Sequence, residues 1–77
     1  KWIEGKKMSN LKDTMLRSLI THAEGMRNMH ISNVKIYLEN PVGIGEHSNI
    51  MESIEKELDS ISKYEEQIQV LDKYFSS

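Results

Sequence analysis

Apolar residues recur at steps of three and four from Leu11 onward: Leu11, Met15, Leu16, Leu19, Ile20, Ala23, Met26, Val34, Tyr37 and Leu38, with His30 taking one place in the series. That spacing lays a stripe along one face of a helix. Asn10, with Asp13 three positions on, offers a cap and an acid in the first turn. Asn40 precedes Pro41, and a residue before proline is pushed out of the helical region. The pattern therefore predicts a helix over about 10–39. Its weak stretch is Gly25 to Asn33, where Gly25, Asn28, Ser32 and Asn33 are poor helix formers and invite a kink or break.

A second pattern opens at Ser48-Asn49, with Glu52 placed as in a capping box. It runs Ile50, Met51, Ile54, Leu58, Ile61, Tyr64, Ile68, Leu71, Phe75, with Glu, Lys, Gln and Ser on the other side and no Gly or Pro inside. This predicts a helix over about 49–75. Between the two lies Pro41-Val42-Gly43-Ile44-Gly45-Glu46-His47, a turn-rich stretch whose Val42 and Ile44 are apolar enough to close the end of a core.

A short turn between long helices makes them antiparallel neighbours. Counted back from the turn, Leu38 falls near Ile50, Val34 near Ile54, His30 near Leu58 and Ile61, Ala23 near Glu65, and Ile20 near Ile68. The fold class this implies is all-α: an antiparallel helical hairpin. The first helix carries a second flank of Met15, His22, Met26 and Met29, more than one seam buries. A symmetric pair of hairpins forming a four-helix bundle would cover it, so a homodimer is expected. Residues 1–8 read as a tail, disordered or appended upstream, ahead of a single hairpin domain over 9–77 with its turn at 40–48. Trp2 falls in that tail and has no expected core role.

Length and composition narrow the classes. At 77 residues there is room for one domain, and a core this small usually needs a staple. With no Cys, disulfides and thiolate metal sites are excluded. The longest apolar run between Leu11 and Phe75 is too short to span a bilayer. Association between chains is the staple that remains. The net charge is −2, but residues 50–75 hold seven acids (Glu52, Glu55, Glu57, Asp59, Glu65, Glu66, Asp72) against Lys56, Lys63 and Lys73, which makes −4. Such a surface repels a phosphate backbone, and no basic stripe offsets it, so no nucleic-acid partner and no membrane partner are expected.

Candidate chemistry is sparse. His22 and His30 are eight apart, about 80° around a helix, whereas paired zinc ligands usually sit four apart. A metal would need Glu65 or a second chain to complete such a site. Glu52-x-x-Glu55 matches half of the paired motif of helical pyrophosphatases, but Asp13, Glu24 and Glu39 are too scattered to supply the other half. Gly43-Ile44-Gly45 lacks the strand, third glycine and lysine of a phosphate loop. A solvated charged face accounts for the acids. Glu65, at a seam position between Ile61 and Ile68, is either a buried polar specifier paired with His22 or Arg27, or rotated out with Tyr64 in its place. His30 reads as a core-edge residue with one ring nitrogen bonded, so His30 and Glu65 are the two candidate buried polar residues. The five methionines Met8, Met15, Met26, Met29 and Met51 fill core gaps or offer an adaptable surface.

Across Asn40-Pro41-Val42-Gly43-Ile44-Gly45-Glu46-His47-Ser48 and Ile54-Glu55-Lys56-Glu57-Leu58-Asp59 the chain resembles small helical proteins of unknown role encoded by tailed phages of marine bacteria. The resemblance implies a viral accessory protein in the cytoplasm of a bacterial host and carries over no functional residue. The residues themselves then suggest a non-enzymatic protein, with no cofactor, that binds a host or viral protein. Its candidate interaction surface is Met15, Met26 and Met29 together with Glu52, Glu55, Asp59 and Glu66. Two other classes stay open: a metal-binding or metal-dependent bundle enzyme using His22, His30 and Glu65 or the Glu52/Glu55 pair, and a structural subunit of a viral assembly.

Overall fold

A computed structural model describes residues 7–40 and 47–76, with side-chain surroundings for 11–40 and 49–76. Two α-helices make up the architecture, α1 over Lys7–Glu39 and α2 over His47–Phe75, and they pack against each other as an antiparallel hairpin. The described residues contain no strand. Helix α1 begins at Lys7, so Lys7 and Met8 belong to the hairpin rather than to a tail, and Asn10 lies inside the helix rather than capping it. Likewise α2 begins at His47, which places His47 and Ser48 in its first turn and moves Asn49 inside. The remaining tail residues 1–6, and residues 41–46 with Val42 and Ile44, lie outside the described residues.

Helix α1 is continuous through Gly25, and nothing lies within 4 Å of where a Cβ at that glycine would sit. Its C-terminal turn is closed by the Asn40 N–H, which donates to the Ile36 carbonyl at 3.0 Å. In the stretch with weak helix formers, Arg27, His30 and Asn33 all find partners on α2 and tie the helix to its neighbour.

Both helices present a strict seven-residue repeat to each other. On α1 the seam runs Leu16, Ile20, Ala23, Arg27, His30, Val34, Tyr37; on α2 it runs Ile50, Ile54, Glu57, Ile61, Tyr64, Ile68, Leu71. Alternating steps of four and three average 3.5 residues per turn, which keeps the stripe facing its partner along the whole length. The seam departs from the sequence expectation in several places: Arg27 stands in it, and Leu38, expected near Ile50, is exposed outside it. Glu57, not Leu58, occupies the seam, and Leu58 is left half exposed.

The hairpin is a single layer. Its extents are 61 × 21 × 12 Å, one helix thick in the shortest direction, and its radius of gyration is 17.9 Å against roughly 11.5 Å for a compact domain of this length. A side chain in a single layer can be covered by the facing helix but not from above and below. Accordingly, Ala23, small enough to be hidden between the helices, is the only hydrophobic residue fully buried among the described residues, at 1% exposure.

Candidate interaction surface

The middle of the seam is polar. His30 Nδ1 lies 2.6 Å from Glu57 Oε1, and Asn33 Nδ2 donates to the same oxygen at 3.1 Å. An ionised carboxylate only accepts, so the His30 Nδ1 carries the proton in this contact. The two donors, His30 first and Asn33 second, hold the Glu57 carboxyl below the usual carboxylate range, against the opposing effect of its partial burial. Further toward the open end, Arg27 Nη1 donates to Glu65 Oε1 at 3.2 Å. Tyr64 sits among these groups: the His30 ring stacks against it with centroids 6.1 Å apart, His22 meets it edge-on at 6.2 Å, and the Lys63 ammonium lies 4.9 Å from its centroid.

Neither His30 nor Glu65 is a buried polar residue: no polar residue is fully buried among the described residues. His30 and Glu57 keep side-chain exposures of 17% and 18%, and Arg27 and Glu65 keep 26% and 47%. A one-layer hairpin leaves both edges of its seam open to water, so these pairs are half shielded. The partner of Glu65 is Arg27, one of the two possibilities, while Tyr64 holds the seam position. The residue that the sequence pattern missed is Glu57. Its signal was its spacing, three after Ile54 and four before Ile61, which places it in the stripe as well as Leu58 does.

The candidate metal set does not converge. His22 and His30 both pack on the Tyr64 ring, and the His30 Nδ1 is taken by Glu57. Among the described residues, no group of three His, Asp or Glu is placed to hold a metal ion.

The remaining predicted residues divide between two surfaces. Glu52, Glu55, Asp59 and Glu66 are exposed on α2, away from the seam, and form an acidic back. Met15 and Met29 are exposed and Met26 is half-buried on the flank of α1. The two sets do not form one patch. Glu66 alone comes near the apolar flank, lining a shallow groove with Leu19, Lys63 and Val70. A neighbouring open groove of about 460 Å³ lies at the open end of the hairpin, lined by Leu11, Met15, Leu16, Leu19, Leu71 and Phe75.

Eleven large hydrophobic residues among those described are substantially exposed, Leu11, Tyr74 and Leu38 most of all. Scattered singly, such residues are ordinary, but Leu11, Met15, Leu19 and Phe75 meet in one apolar groove, and apolar surface gathered in this way marks an interaction site. No helix among the described residues is long and apolar enough to cross a membrane. No family model, curated protein or solved structure matches the chain.

Proposed function

We propose that the chain is a small non-enzymatic interaction protein of phage origin. It acts in the cytoplasm of a bacterial host as a homodimeric four-helix bundle that docks on a host or viral protein. One observation carries the reading: the hairpin leaves eleven large hydrophobic residues exposed and fully encloses only Ala23 among the described residues. A second layer of helices completes such a core, and a symmetric copy supplies one with the same apolar flank. The acidic back of α2, with Glu52, Glu55, Asp59 and Glu66, points away from the seam and stays free for a partner with a basic surface. The likeness to small phage proteins supports the cellular setting.

Light scattering tests the dimer: the expected molar mass is twice the 9.0 kDa of the chain. Affinity capture from bacterial lysate at low and high salt tests the docking. A partner lost at high salt and lost again with Glu55→Lys and Asp59→Lys is the expected result. Capture indifferent to both would remove the acidic back from the proposal.

A further inference from the structure

We infer that the second copy docks on α1, along a stripe running Leu11, Met15, Leu19, Met26, Met29 and Ile36, with the two α1 helices antiparallel and the twofold axis passing near Glu24. This rests on the two-copy reading above and assigns its seam.

The stripe is a second seven-residue repeat on the same helix. With His22 and Asn33 filling its two other places, it steps Met15, Leu19, His22, Met26, Met29, Asn33, Ile36 by alternating fours and threes. Each position lies one residue before a position of the seam toward α2, so the two stripes face about 100° apart. That angle lets one helix touch two neighbours in a bundle. Five of the eleven exposed large hydrophobic residues belong to it, Leu11, Met15, Leu19, Met29 and Ile36. Of its two polar members, Asn33 is half-buried and donates to Glu57, while His22 packs edge-on against Tyr64 and stays exposed. On the same side of α2 stand Ser53, Lys56, Ser60, Lys63 and Gln67, polar until Val70 and Tyr74 near the open end.

The area available fits a dimer. The chain exposes 6249 Å², whereas a folded monomer of its mass exposes about 4,850 Å². The excess over the whole elongated chain, roughly 1,400 Å², leaves room for the ~800 Å² that each partner buries in a standard interface. The antiparallel direction follows from shape. It sets Leu11 opposite the partner's Ile36, Leu19 opposite the partner's Met29, and His22 opposite the partner's Met26. The groove at the open end, lined by Leu11, Met15, Leu19 and Phe75 among others, then receives the partner's Met29 and Ile36. Parallel packing would set groove against groove.

Two measurements decide it. In dilution series followed by light scattering, Met15→Glu with Met29→Glu is expected to raise the dimer dissociation constant at least 100-fold. Met51→Glu with Leu58→Glu, on the opposite flank, should leave it within threefold. The reverse outcome moves the seam to the other flank and overturns this assignment while the two-copy reading survives; a wild-type chain monomeric at 100 μM overturns both. Spin labels on the otherwise unchanged chain give a readout that does not depend on a destabilised variant. Labels at Gly25→Cys should lie about 3 Å apart along the axis and labels at Glu39→Cys about 45 Å. Equal separations at the two sites would mean parallel packing and refute the proposal.

Discussion

Replacing Glu57 by alanine isolates the polar layer in the middle of the seam. The substitution removes the oxygen that accepts from both His30 and Asn33. A hydrogen bond to a charged group contributes about 1.5–3 kcal/mol and a neutral one about 1 kcal/mol. The site keeps access to water, with the Glu57 side chain 18% exposed, so the freed donors recover part of that by solvation. The expected loss at pH 7 is therefore about 1–3 kcal/mol, which for a domain of this size corresponds to roughly 4–20 °C in Tm. The pH dependence has a definite sign. The carboxyl is held below its ordinary value of 4.5, so its stabilisation is fully present above that value. It fades as pH falls through 4.5 and on through the lowered folded-state value. Thermal melts of wild type and Glu57→Ala by helical circular dichroism, at pH 7 and at steps below 4.5, should converge as pH drops; most other titrations cancel in the difference. A variant as stable as wild type at pH 7, or a gap that persists unchanged in acid, would refute the reasoning.

The other expectations follow from the same geometry. Ile61→Asp puts a carboxylate into the seam between Arg27 and His30 levels, half-buried, and is expected to cost more than about 3 kcal/mol and abolish the helical signal. Glu55→Lys, on the exposed back of α2, should stay within about 0.5 kcal/mol of wild type by the same circular dichroism. Gly25→Ala is expected to stabilise by about 0.5–1 kcal/mol, because the helix is continuous there and the added Cβ meets nothing within 4 Å; denaturant midpoints report it. Arg27→Ala should cost under about 1 kcal/mol, and the difference should shrink in 1 M salt, because its ion pair with Glu65 is partly exposed.

Much of the architecture is legible in the residues alone. Steps of three and four in two long stretches, separated by Pro41 and two glycines, determine two helices and their antiparallel order, because a helix repeats every 3.6 residues and a short turn leaves no other arrangement. The surplus apolar flank of α1 was visible as well. What periodicity does not separate is Glu57 from Leu58. Both stand three or four residues from Ile54 and from Ile61, so both satisfy the helical pattern, and hydrophobicity favours the leucine. Across the seam, however, stand His30 and Asn33, two donors that only an acceptor satisfies, and they draw Glu57 in while Leu58 turns half outward. Tyr64 and Glu65 divide in the same way, the ring between helices beside His30 and the carboxylate on the rim with Arg27. Local sequence sets which residues lie near the contact line. Which of two neighbours enters it depends on the side chain opposite, some 27 or 38 residues away in the chain, and only the packed pair of helices decides that.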